Sequence, residues 1–262
     1  MKKTFTLTLT KTILSFAFLA LVLSGNVSYG QQAGTDSESG KHLVKWNVAA
    51  LALKNYSFQY EQAIGRKTAV ALGLRFMPKS SMPFSTLLKN GIDDDQAWES
   101  IKDFKTGNFS ITPEFRYYFG ESVFQGFYVA PFVRYARYNA DLPFNYEYQQ
   151  NGTTIKGTMD FNGGVDTFTG GVLIGAQWSL SKSISLDLWI IGPNYGIASG
   201  NIAGKKALNS MEQDELRKAL NDDLGDLPLV KTKYTVDGNG AKIDFDGPWA
   251  GVRSGLSIGY RF

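Results

Sequence analysis

Few residues in this chain are able to do covalent chemistry. Its 262 residues include no cysteine and one histidine, His42. That excludes disulfides, thiol catalysis, cysteine-based zinc sites and a lipid-modified cysteine. A serine hydrolase would have to run through His42, and no partner that would orient its ring can be named. His42 therefore reads as a solvated residue at a strand start. Asp93, Asp94 and Asp95 stand side by side, but a calcium loop interleaves its ligands over a longer span. They read instead as the capped, acidic first turn of a short helix that carries Ala97, Trp98, Ile101 and Phe104 at helical spacing. What remains is an ionic set: Lys45, Arg75, Arg116, Arg134 and Arg253 with Glu61, Glu114 and Asp187. Its expected chemistry is mutual charge compensation, because unpaired charge in a low-dielectric interior is costly. No catalytic residue, cofactor or metal site is assigned.

Eight segments of two-residue alternation must position that set. They are Leu43–Leu53, Asn55–Ile64, Thr68–Phe76, Asn108–Phe119, Gly126–Tyr138, Thr167–Leu180, Ser183–Ile191 and Trp249–Phe262. Such alternation marks strands with two unlike faces. One face is large and apolar, as in Val70, Leu72, Leu74 and Phe76; the other is small or ionic, as in Ala69, Ala71, Gly73 and Arg75. Several runs exceed the five or six residues usual in soluble sheets and reach the length of about nine to eleven residues that crosses a bilayer as a tilted strand. Aromatics gather near the ends of the apolar faces (Trp46, Tyr117, Phe119, Phe127, Trp178, Tyr260), as in an interfacial girdle. Connections alternate between tight turns (65–67, 120–125, 181–182) and long ones (77–107, 139–166, 192–248). The exception is Lys54, the whole of the first outer turn, which leaves a different division of strands one and two open. The expected fold is all-β: an eight-stranded antiparallel transmembrane β-barrel with long extracellular loops carrying short helices and hairpin extensions. A soluble lipocalin-like barrel or sandwich is the alternative, but faces as glycine-rich as Gly251, Gly255 and Gly259 suit a crowded lumen better than a solvated surface.

The N-terminal segment fixes the route. Lys2, Lys3 and Lys11 precede the apolar run Ile13–Leu23, and Ser28-Tyr29-Gly30 offers small residues before a cut. This is the pattern of a signal peptide over residues 1–30, and the run is too short for a membrane helix of about 20 residues. Residues 31–41 are expected as a periplasmic segment and 42–262 as the barrel. Residues 1–30 hold three lysines and no acid, so 27 basic residues fall to 24, equal to the 24 acidic ones. A neutral processed chain has no electrostatic footprint for nucleic acid.

The last strand carries Leu256, Ile258, Tyr260 and Phe262 at every second position. This resembles the C-terminal signal that outer-membrane barrels present to the insertion machinery. Ser57–Glu61 before a glycine turn, and Gly126–Phe132, resemble strands of a family of small outer-membrane β-barrel proteins, most of them without an assigned function; in size the chain is similar to OmpA- and OmpX-type barrels. The resemblance covers about residues 41–262. It implies the outer membrane of a Gram-negative-type envelope, with outer-membrane lipid, lipopolysaccharide and the barrel-insertion machinery as partners.

The loops hold further elements. Ser210-Met211-Glu212-Gln213 reads as a capping box opening a helix with Leu216, Ala219 and Leu220 on its apolar side. Asn151-Gly152 and Asp237–Gly240 are hairpin cues. Side chains just about fill an eight-stranded barrel, so the expected function is non-enzymatic: a structural or interaction protein acting through its loops, with an accessory subunit of a larger outer-membrane complex as one form of that role. A small channel or ligand-binding barrel is the alternative, and a barrel enzyme acting on envelope lipid comes third.

Overall fold

The computed structural model describes residues 40–81, 102–150, 152–224 and 231–262. The expected signal peptide, nearly all of the expected periplasmic segment and the helix expected after Asp93 lie outside those residues. Among the described residues the strands are β1 (His42–Asn47), β2 (Tyr56–Ala63), β3 (Thr68–Ser81), β4 (Lys105–Tyr118), β5 (Gly126–Gln150), β6 (Thr153–Ser179), β7 (Ile184–Lys205), β8 (Lys231–Asp237) and β9 (Gly240–Arg261), with an α-helix, α1 (Ser210–Leu224), between β7 and β8. Neighbours pair antiparallel in the order β1-β2-β3-β4-β5-β6-β7-β9-β8, and β1 also pairs with β9. Eight strands therefore close into a ring, joined where Val44 meets Tyr260 and Trp46 meets Ile258. β8 stands outside the ring and pairs with the first residues of β9, Lys231 opposite Asp246 and Asp237 opposite Gly240.

Alternation assigns the faces as the residue types require. Val70, Leu72, Leu74 and Phe76 are exposed on the outer face of β3, while Ala69 and Ala71 are buried. On β4, Phe109, Ile111, Phe115 and Tyr117 point out, and Ser110, Thr112, Glu114 and Arg116 are buried. The ring thus has a greasy exterior and a polar interior, the reverse of a soluble barrel.

The structure departs from strict alternation at three places. The first strand does not run to Leu53. It ends at Asn47, and Ala49–Leu53 form a 3-10 turn closed by Lys54 in the left-handed region, at φ 57°. Asn47 Oδ1 accepts from the Ala50 amide at 3.0 Å and starts that turn; five apolar residues in a row carry no two-residue pattern to oppose it. The seventh strand does not stop at Ile191. A bulge places both Ile190 and Ile191 on the outside, shifts the register between Trp189 and Gly192 against β9, and continues the strand to Lys205. An extra residue exchanges the faces beyond it, so odd positions point inward up to Trp189 and even ones, such as Gly192 and Ala198, from there on. The eighth ring strand begins at Gly240 rather than Trp249, so much of 192–248 is a tall ladder of paired strands, not loop.

At about 3.3 Å per residue, the 25 residues of β5 and 27 of β6 extend well beyond the apolar band. The band's upper edge shows on β5, where outward Tyr135 is followed by Arg137, ion-paired to Asp166 on β6 at 3.0 Å. Above it, the tall hairpins enclose a second core of Tyr146, Met159, Phe161, Leu208, Leu216, Leu220, Val236, Ala241 and Ile243. Gln150 pairs with Thr153, and Gly152 between them is at φ 78°; Asn151, the other half of the expected cue, lies outside the described residues. The helix cap lies one residue earlier than Ser210. Asn209 Oδ1 accepts from the Glu212 amide at 2.9 Å, and Glu212 Oε2 accepts from the Asn209 amide at 3.0 Å. Asparagine caps as well as serine does, and Asn209 has the reciprocal spacing to Glu212.

Candidate functional site

The ring's interior is the candidate site. It is built from strand positions of one parity: Lys45 from β1, Gln59 and Glu61 from β2, Glu114, Arg116 and Tyr118 from β4, Tyr128 from β5, Gln177 from β6, Asp187 and Trp189 from β7, and Arg253 from β9. Arg116 is at the centre and fully buried. Its Nη1 donates to Asp187 Oδ2 at 2.8 Å and lies 3.3 Å from Glu61 Oε2. Its Nη2 donates to Gln59 Oε1 at 2.8 Å and to Glu114 Oε2 at 3.0 Å. Lys45 Nζ pairs with Asp187 Oδ2 at 2.6 Å and also with Glu61, and it donates to Gln177 Oε1 at 2.8 Å. Arg253 Nη2 reaches Glu114 Oε1 at 2.6 Å. Three cations and three carboxylates therefore share one cluster, which is charge-balanced.

Aromatic hydroxyls and rings complete it. Tyr118 donates to Glu61 Oε1 at 2.6 Å, Tyr128 to Asp187 Oδ1 at 2.7 Å, and the Trp189 indole N–H to Asp187 Oδ2 at 3.1 Å. The Arg116 guanidinium lies 4.5 Å from the centre of the Tyr128 ring, and that of Arg253 4.4 Å from the Phe132 ring. Cations over aromatic faces gain further stabilisation where water is excluded. Below, the 120–125 turn folds Phe124 inward at φ 67°, buried against Tyr118 with ring centres 6.3 Å apart. At this level the interior is occupied by side chains: Arg116, Lys45 and Tyr118 are all fully buried.

Of the eight ionic residues singled out in the sequence, six meet here. Arg75 and Arg134 do not; they lie further toward the long-loop end, facing a separate chamber with Arg253 at its base. Gln59, Gln177 and Tyr128 join the network without belonging to the ionic set; the signal that finds them is a strand position of the same parity as the charges. Leu256, Ile258, Tyr260 and Phe262 alternate outward on β9, with Ile258, Tyr260 and Phe262 exposed. His42 lies on the outer face at the seam, its Nδ1 2.6 Å from the Tyr60 hydroxyl and its ring stacked on Phe262 at 5.6 Å. Among the described residues no group of three or more histidine, aspartate or glutamate side chains is arranged to hold a metal ion, and no helix is long and apolar enough to cross a membrane.

Fold and interior define a closed eight-stranded antiparallel β-barrel with an ionic plug. The chain belongs to the family described as "Protein of unknown function (DUF3575)", whose model matches residues 16–201. No curated protein matches it. Among solved structures it is similar to the translocator domain of the autotransporter NalP from Neisseria meningitidis, at 10% identity over 97% of each chain with a TM-score of 0.34. It is also similar to the beta domain of the Bordetella autotransporter BrkA, at 10% identity over 86% of this chain and 99% of that one, TM-score 0.22. Likenesses of that strength carry no argument about activity.

Proposed function

We propose that this chain is an integral outer-membrane β-barrel protein without enzymatic activity, acting through its outer superstructure as a structural or interaction protein and as an accessory subunit of a larger outer-membrane complex. The observation that carries the reading is the plug centred on Arg116: an interior occupied at that level by its own salt bridges leaves the surface beyond the membrane as the place where a protein partner is engaged. The outward belt supports the membrane setting, because an exterior row such as Val70, Leu72, Leu74 and Phe76 is stable against lipid and unfavourable against water. Closure supports it too, since an open edge in hydrocarbon would strand backbone polar groups. The outward alternation of Ile258, Tyr260 and Phe262 supports delivery by the barrel-insertion machinery, and the outer surface faces lipopolysaccharide.

The test uses the spacing of β7 and β9. Lys205 pairs with Gly240, so residues 206–239 can be replaced by an Asn-Gly turn, which suits a two-residue hairpin. Full-length and shortened chains are expressed in cells and cross-linked before envelope fractionation and mass spectrometry. Both chains are expected in the detergent-requiring outer-membrane fraction, and one stoichiometric protein partner is expected to cross-link to the full-length chain only. Recovery of the processed chain without detergent, or absence of any cross-linked partner, overturns the reading.

A further inference from the structure

The charge balance of the plug leaves two cations over. Arg75 donates through Nε to Asn55 Oδ1 at 2.7 Å, and Arg134 hydrogen-bonds Tyr138. Neither forms an ion pair among the described residues, although Arg134 is 8% exposed. Both line a chamber of about 390 Å³ that opens toward the long-loop end and ends below at Arg253 and Trp189. Two further polar groups on its wall have no hydrogen-bond partner among the described residues: the hydroxyl of Ser110, 1% exposed, and Nη1 of Arg253, 8% exposed, whose Nη2 is held by Glu114. Flat apolar surfaces lie beside them. Trp249 packs on Tyr138 with ring centres 5.2 Å apart, and Trp189 lies under the Arg253 guanidinium at 4.9 Å.

A cation taken out of water without a counter-charge is costly, and guanidinium forks match carboxylate and sulfonate oxygens in pairs. Stacked rings at the same place favour a flat apolar body. The volume lies within the range of small-molecule sites, about 300–1,000 Å³. We infer that this chamber binds a small organic anion, a carboxylate or sulfonate on a planar apolar body, through Arg75, Arg134 and the unpartnered Nη1 of Arg253. The plug beneath makes it a blind pocket, so the anion is held there rather than passed through. This binding stands on interior residues and does not depend on the outer superstructure having a protein partner.

The full processed chain, purified from membranes in detergent, is titrated with benzoate, its uncharged isostere benzamide, and inorganic phosphate. Tryptophan fluorescence and calorimetry are the readouts. Benzoate is expected to bind and to quench fluorescence, with benzamide weaker by about tenfold or more, as charge-assisted hydrogen bonds are lost. Phosphate is expected to compete weakly, having the charge without the flat body. Arg134→Gln and Arg75→Gln are each expected to weaken benzoate by about tenfold or more. Arg137→Gln, which removes an exposed pair on the outer wall, is expected to leave binding unchanged. Arg134→Lys keeps the charge and loses the fork, and is expected to fall between wild type and Arg134→Gln. It reports even where the glutamine variant fails to fold. Equal binding of benzoate and benzamide, no binding by either, or unaltered benzoate affinity in the arginine variants overturns the proposal.

Discussion

The two ends of this molecule solve the problem of a stable interior in opposite ways. Within the ring the centre is ionic: Lys45, Arg116 and Arg253 against Glu61, Glu114 and Asp187, wrapped in tyrosine hydroxyls and glutamine amides. In the outer superstructure the centre is apolar, with Leu216, Leu220, Met159 and Phe161 packed between helix and strands. The proposed membrane setting explains the inversion. Where lipid faces the wall, apolar side chains gain by pointing outward, and the interior is left for polar groups that must satisfy one another. Where water faces the wall, the hydrophobic effect draws apolar side chains inward. The same strands, β5, β6, β7 and β9, run through both regimes.

The contrast predicts how each region fails. Arg116→Met removes the hub of the plug and leaves three carboxylates under-compensated. Unpairing a buried ion cluster costs about 3–5 kcal/mol, and the loss should appear as global unfolding at lower urea in lipid vesicles. Leu216→Ala should cost about 2–5 kcal/mol for a fully buried leucine, but locally: proteolysis near α1 should speed up while the ring keeps its resistance to heat in detergent. A coupled loss of both regions in either variant would show that they are one cooperative unit.

Ile258→Arg puts a charge on the lipid face and should destabilise by up to about 2–4 kcal/mol, depending on depth. The neighbouring Ser257→Arg points inward beside Asp187, its partner residue on β7, and is limited by lumen space. The cost at Ile258 should change with bilayer thickness and that at Ser257 should not; identical behaviour would invalidate the face assignment. Asn209→Ala removes the helix cap and should cost about 0.5–2 kcal/mol, seen as faster amide exchange in the first turn of α1 with no change in the ring.

The smallest effect is in alkali. Lys206 Nζ donates to the Tyr146 hydroxyl at 2.8 Å, and that hydroxyl donates to Glu212 Oε1 at 3.1 Å. The hydrogen bond with Tyr146 raises the Lys206 ammonium above its ordinary value, and burial raises the Tyr146 phenol. Both groups hold their protons more tightly when folded. Their stabilisation is complete below the unfolded values near pH 10 and is lost as pH rises through the folded ones. Fluorescence of the outer region should therefore change at a lower alkaline pH than ring unfolding, and Lys206→Met should remove part of that early transition.

Much of this was legible in the chain. Strands three to six begin or end close to where alternation places them, because a two-residue period is a local property of side-chain order. The Asp237–Gly240 cue marks a hairpin turn for an equally local reason. The bulge at Ile190–Ile191 was not legible, since two adjacent isoleucines read as a continuing apolar face. Nor was the end of β1 at Asn47, where a side-chain cap decided between strand and turn. The strand extension past Ile191 was hidden because Gly-rich, mixed-polarity residues such as Ala198–Gly204 have no sharp period; they are held by partners on β6 and β9.

Outside the bulged and extended part of β7, the order of residue types alone settled which side chains turn inward, because pleating alternates them whatever the strands' partners are. The tertiary structure alone decided which charges meet. Lys45 and Asp187 are separated by 142 positions and Glu114 and Arg253 by 139, and only the closure and stagger of the ring bring them to one level. That same stagger lifts Arg75 and Arg134 above the neutral cluster, so the two cations without a carboxylate among the described residues were fixed by register, which no local pattern encodes.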